Sequence, residues 1–341
     1  MGLFLLFLFS LSLIIVANLA TRMRDDRITK LFFTFLFLLN IPTFILGVLF
    51  VVLPEWRLQT FQPAENILNL NDPITYGIIL QLTAVWGVLV TVGQTRHALL
   101  KNTRFRFQSP IHGLALLGVG YLVGNVALIL SQGSLEQLAA TAEPATLLDI
   151  ITPGIAFTAL GFMGVGLVVR RSYPETISRL GLTRPTRADL FLSFRWIFGL
   201  VILQGIVGVV WGAFFPAEAE QLTTVNERLL ENVDTVWEWA LLASSAGFGE
   251  EILFRGAFQP VLGVFFTAVI FALGHVQYGL TPITFLIFVL GLILGHLRKK
   301  HSTTVAIMVH TGYNFVLGLL ALSVPYLEQF AEVMTIVMFS A

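Results

Sequence analysis

Residues 250–255 read Glu-Glu-Ile-Leu-Phe-Arg inside an otherwise apolar stretch of the chain. On a helix, residues four apart share a face and adjacent residues point about 100° apart. Glu251 and Arg255 are therefore neighbours, and Glu250 points elsewhere. Glu251 is neutralised by Arg255, and the pair reads as structural support for its helix. Glu250 has no partner in its own helix and is free to face a cavity as a general base. His275 ends the run VLGVFFTAVIFALGH, with Phe271 one turn before it. His310 and Asn314 share one face of VAIMVHTGYNFVLGLL. A carboxylate, two histidines and an amide supply a base, its orienting partner and donors for a developing oxyanion. Hydrolysis of an acyl bond by water needs those parts.

Each group also has a plainer use. A buried carboxylate–arginine pair can simply hold helices together, and a lone membrane histidine is more often an interhelical hydrogen-bonding group than a catalyst. Against that stands the cost of ionisable groups at mid-bilayer. At a few kcal/mol or more each, they are usually paired, turned to a cavity, or functional. His97 and His301 lie in basic loops, and His112 and His296 lie near helix ends, so these four are weaker candidates. There is no H-E-x-x-H and no G-x-S-x-G. The usual zinc-protease helix and a serine elbow are thus unsupported. No Asp falls inside a predicted span, which argues against a paired-aspartate site.

The elements that must position these residues are membrane helices. The 341 residues are 56% hydrophobic and 12% charged, about half the charge fraction of a soluble domain. Cysteine is absent, which excludes disulfides, thiolate metal sites and a cysteine nucleophile. A net charge of zero gives no basic footprint for nucleic acid, so no nucleic-acid partner is expected. A span needs about 20 mostly apolar residues. Ten segments qualify as predicted spans: 3–20, 31–53, 74–95, 110–131, 153–169, 190–215, 236–259, 261–275, 282–297 and 304–324. The expected fold is an all-α polytopic bundle. The segment 261–275 is short and reads as tilted or broken.

Met1–Ala20 has its basic residues after its apolar core, which favours a first span over a cleaved signal. With the amino terminus outside and the helices alternating, 18 of the 20 Lys and Arg fall on the inner side, and only Arg57 and Arg228 fall outside. This places both termini of an integral, multi-pass protein on the outer side. Trp56, Trp196, Trp211, Trp237 and Trp239 sit near predicted helix ends, as an interfacial belt requires. Gly120-x-x-x-Gly124 and Gly291-x-x-x-Gly295 read as close packing within the bundle. The polar stretch 171–189 is expected to hold a short amphipathic helix at the inner surface. It divides residues 1–187, a five-helix region with its linker, from residues 188–341, which hold the chemistry in 236–324.

The ordered set EEILFR, FALGH and HTGYN, on three apolar helices with one intervening, resembles the CPBP (Abi) family of intramembrane proteases. That family includes the type II CAAX prenyl endopeptidases and proteins linked to bacteriocin self-immunity. The resemblance covers residues 236–324 and implies an intramembrane endopeptidase acting on a peptide or protein substrate at the lipid bilayer. It implies that Glu250 and His275 activate water, that His310 and Asn314 stabilise the oxyanion, and that Glu251 and Arg255 are structural. Two routes stay open here. One is metal-free; the other uses a single divalent ion, such as zinc, on Glu250, His275 and His310. A non-proteolytic immunity or partner protein of the same fold is the alternative function. Substrate and oligomeric state are left undetermined.

Overall fold

The computed structural model describes residues 2–53, 72–101, 104–132, 144–275 and 278–339. Trp56 and Arg57 lie outside the described residues. Inside a bilayer every backbone N–H and C=O must find a partner within the chain, so apolar segments of this length become helices. They are α1 (Gly2–Met23), α2 (Asp26–Val52), α3 (Pro73–Thr91), α4 (Gly93–Leu100), α5 (Pro110–Gln132), α6 (Leu147–Val165), α7 (Tyr173–Leu180), α8 (Arg187–Phe214), α9 (Pro216–Leu229) and α10 (Val236–Glu250). A widened helical segment, Glu251–Phe258, follows, then α11 (Gln259–Leu273), α12 (Pro282–Lys300) and α13 (Thr303–Phe339). The fold is all-α, as the sequence predicts. Several entries into helices are set by capping boxes. Thr235 and Glu238 exchange hydrogen bonds at the start of α10, and Thr186 and Asp189 do so at α8.

Among the described residues, nine helices are long and apolar enough to cross a membrane, and Val236–Leu273 counts as one of them. The sequence expects two spans there. Gly263 explains the difference, with φ 79° and ψ 172°, a backbone shape that only glycine adopts readily. A straight helix would separate residues 250 and 275 by about 37 Å. Their side chains instead stand 4.0 Å apart, so the chain folds back at Gly263 into a helical hairpin. The returning arm, 264–273, rises only about 15 Å, half a bilayer core. The segment 261–275, read from the sequence as short and tilted or broken, is this returning arm.

Contacts fix the directions of the neighbouring helices. Arg255 reaches Gly291 and Gln259 reaches Gly295, so α12 runs parallel to the outgoing arm. A side chain at Gly295 would meet Val264 and one at Gly291 would meet Ala268, so α12 runs antiparallel to the returning arm. Gly247 lies against Thr311, and Gly318 lies against Trp239, which makes α13 antiparallel to α10. Helix α6 closes the other side, with Gly154 against Ser245 and Gly249, and Gly161 against Ile252. Close approach at Gly249, whose Cβ would stand 2.5 Å from the Gly154 carbonyl oxygen, leaves no room for a side chain. Gly120 and Gly124 likewise face Trp86 and Thr83, so both paired-glycine motifs pack inside the bundle. The apolar core around the hairpin includes Phe254, Phe271, Leu294, Val305 and Val309. A separate cluster joins α1, α2, α3 and α5 through Ala17, Phe32, Leu36, Val90 and Leu117.

Two expectations need adjustment. Trp211 and Trp239 are buried packing groups rather than belt residues, whereas Trp237 is exposed. The amphipathic linker helix exists as α7, but it is docked, with Thr176 and Leu180 buried. The hairpin turn gives a direct check. Nothing crowds a side chain at Gly263, so Gly263→Ala isolates the backbone cost. It should destabilise the purified protein by about 1–3 kcal/mol, read as a lowered midpoint of thermal unfolding.

Candidate active site

Pro260 shapes the helix that carries the glutamates. It has no N–H, and its ring crowds the carbonyl four residues back, that of Gly256. The helix responds by widening over Glu251–Phe258, and Gln259 N donates to Phe254 O, five residues away. The Arg255 and Gly256 carbonyls lose their regular donor at Pro260. Arginines from elsewhere replace it. Arg298 Nε donates to Arg255 O at 3.1 Å, and Arg179 Nη1 donates to Gly256 O at 2.9 Å. Residues Glu251 to Gly256 are all buried, so this segment lies at the centre of its half of the bundle.

Glu251 and Arg255 form the pair read from the sequence. Arg255 Nε stands 3.2 Å from Glu251 Oε2, and both side chains are 0% exposed. The guanidinium lies over the Phe271 ring at 4.3 Å and donates to Gly291 O at 3.4 Å. A cation over an aromatic face is attracted by the ring quadrupole, most strongly where water is excluded. Glu251 does more than neutralise Arg255. Its Oε1 accepts from His310 Nδ1 at 3.0 Å.

Glu250 sits across the hairpin from His275, with 4.0 Å between Oε2 and Nε2. Both side chains are partly accessible, at 16% and 22%. His275 Nδ1 lies 2.8 Å from the Phe271 carbonyl oxygen. A carbonyl only accepts, so Nδ1 carries the proton, and in the neutral ring Nε2 presents a lone pair towards Glu250. Glu250 Oε2 is buried and finds no hydrogen-bond partner among the described residues. Two acceptors facing each other across 4.0 Å are too far apart for a direct hydrogen bond and suited to one water that donates to both.

Phe271 touches the buried cation and both histidines. Its ring centroid is 4.9 Å from that of His275 and 5.9 Å from that of His310. Tyr278 stacks on His275 at 6.4 Å with planes 12° apart. Asn314 lies one turn beyond His310 on α13, partly exposed, and makes no side-chain hydrogen bond among the described residues. Next to it, Tyr313 donates to Gln204 Oε1 at 2.9 Å, which ties α13 to α8. The sequence reading passed over Gln204, although an amide within an apolar run is a usable signal. It also gave no sign of the Glu251–His310 bond, because those residues are far apart in the chain. The six site residues are thus disposed as two Glu–His pairs, Glu250 with His275 and Glu251 with His310, with Arg255 behind the second pair and Asn314 beyond it.

In this arrangement Glu250, His275 and His310, the ligands of the alternative zinc route, are divided between two Glu–His pairs. Among the described residues no group of three or more His, Asp and Glu side chains is disposed to hold a metal ion. His310 Nδ1 is held by Glu251, which leaves Nε2 as its free ring nitrogen.

Apolar helices and a buried polar site together define an integral, multi-pass membrane protein. Residues 232–316 match the family model described as type II CAAX prenyl endopeptidase Rce1-like. The matched segment is about a quarter of the chain and contains all six site residues. It supports the CAAX-protease-like family that the motifs resemble, and with it an intramembrane protease in general. Neither the curated proteins nor the solved structures contain a match.

Removing the buried cation should expose its role. Arg255→Ala leaves Glu251 buried with only the His310 N–H and no fixed cation, at a cost of about 3–5 kcal/mol. Arg255→Lys keeps a charge but loses the planar group over Phe271, and it should recover only part of the stability. Thermal unfolding of the two variants beside the parent protein checks both statements.

Proposed function

We propose that the protein is an intramembrane endopeptidase that hydrolyses a peptide bond of a membrane-associated or prenylated-type substrate, with water activated by Glu250 and His275. The single observation behind this reading is the 4.0 Å gap between Glu250 Oε2 and His275 Nε2, two acceptors held face to face. A water bridging them donates a hydrogen to each and turns its own lone pair outward. As it attacks a carbonyl carbon, its proton passes to this pair, which then returns a proton to the leaving amine. Charge developing on the carbonyl oxygen meets donors from α13. Asn314 offers its amide, and His310 offers Nε2 when the ring holds both protons, the first being held by Glu251. No step is routed through a metal. Glu251 and Arg255 act by positioning His310 and the helix.

The substrate class rests on the family's printed description and on the site's place among apolar helices. A segment reaching it must lie at the membrane. The returning arm and the start of α12 offer an approach. Because α12 runs parallel to the outgoing arm with Gly291 beside Arg255, Pro282 lies level with residues near 246, roughly 15 Å along from Val236. Gly279 and Leu280, just before α12, therefore lie part-way along α10 rather than beyond its start.

Proteolysis by purified protein tests the reading. Glu250→Ala and His275→Ala should each lower the cleavage rate by about 10²-fold or more. Full activity in both variants sinks the proposal. The metal-free route predicts that metal analysis finds less than one bound ion per chain and that chelator leaves cleavage unchanged. A stoichiometric ion whose removal abolishes cleavage would overturn that route.

A further inference from the structure

A second polar feature lies apart from the hairpin. Arg22 at the end of α1 and Arg170 and Arg171 after α6 line an open depression of about 390 Å³, with Val168, Ser172 and Tyr173 at its rim. Each guanidinium is held in place. Arg22 Nη1 donates to Val169 O at 2.9 Å, Arg170 Nε donates to Asn18 Oδ1 at 2.6 Å, and Arg171 Nη1 donates to Val165 O. A guanidinium carries five N–H groups, so most of these donors are left for a ligand.

The charge in this depression is not met by a direct ion pair. Among the described residues, none of the three arginines forms an ion pair with a carboxylate. Glu175, which feels Arg171, is held by Ser172 N and Oγ at 2.8 Å each. Burial, followed by Arg171, Arg179 and Arg106, pulls the Arg170 guanidinium down to about 10. An ordinary basic loop is solvated and mobile. Here Arg170 and Arg171 are part-buried, held by hydrogen bonds and mutually repelling, with the exposed Arg22 tied beside them, so an anion bound among them would relieve the repulsion without ordering new side chains.

The surroundings favour a lipid. The depression lies at the ends of the spans Phe4–Met23 and Leu147–Val165, the level at which a bilayer crossed by these helices would present its headgroups. Val168 is 82% exposed and Tyr173 64% exposed, giving an apolar lip beside the cationic floor. Val168 is held outward in a left-handed backbone conformation, φ 65°. Basic pockets between membrane helices recognise anionic headgroups. We propose that Arg22, Arg170 and Arg171 bind the phosphate of an anionic membrane lipid, with Val168 and Tyr173 against the start of its acyl chains.

Binding to the full-length protein in neutral detergent tests this with three probes: dioctanoyl phosphatidic acid, dioctanoyl phosphatidylcholine and inorganic phosphate. Phosphatidic acid should bind saturably, at least about tenfold more tightly than phosphatidylcholine, and weaken as salt rises. Arg22→Glu changes an exposed side chain with one hydrogen bond and should weaken phosphatidic acid by about tenfold. Arg171→Lys keeps the charge but loses the fork, and it should weaken binding less. Equal binding of the two lipids, or unchanged binding in both variants, overturns the proposal. Inorganic phosphate binding as tightly as phosphatidic acid overturns the lipid assignment and makes free phosphate the ligand.

Discussion

The site depends on one buried cation. Arg255 has no exposed surface, and its positive charge is met by Glu251, by the Phe271 ring and by the Gly291 carbonyl. Burying two charges costs several kcal/mol per ion, and such a pair gives little net stability compared with apolar residues. What it gives here is position. Glu251 has a second oxygen, and that oxygen holds His310. The Phe271 ring lies against both histidines. One cation thus ties its own segment to α11 and α12 and, through Glu251, to His310 on α13.

Two backbone irregularities make that packing reachable. Pro260 cannot continue a regular helix, and the widened turns before it carry Glu251 and Arg255 together. Gly263 then reverses the chain, so His275 returns to the level of Glu250. A regular helix through this region would leave the two residues far apart. Arg179 and Arg298 complete the arrangement by satisfying the carbonyls that Pro260 strands. The linker helix α7 is therefore part of the support for the site as well as a connection between halves.

Much of this was legible in the sequence. Helical spacing alone separated Glu251, paired with Arg255, from an unpartnered Glu250, and the structure keeps that division. Apolar runs of span length located the helices. Phe271 was visible only as an aromatic one turn before His275; its contacts with Arg255 and His310 come from packing between helices. The hairpin was read as a short or broken span, because one glycine among apolar residues does not announce a reversal. The widened helix escaped notice because its cause, Pro260, is equally compatible with a simple kink. Glu251–His310 and Tyr313–Gln204 join residues distant in the chain, and no local pattern encodes them. Composition placed tryptophans near helix ends but could not tell a belt from buried packing at Trp211 and Trp239.

The central claim is that adjacent glutamates have separate tasks, Glu250 in the reaction and Glu251 in holding the site together. Glu250→Gln and Glu251→Gln, compared for both cleavage rate and unfolding midpoint, test it most directly. The account predicts that Glu250→Gln loses cleavage with an unfolding midpoint close to that of the parent protein, whereas Glu251→Gln lowers the midpoint clearly. An active Glu250→Gln protein, or a Glu251→Gln protein as stable as the parent, would contradict it.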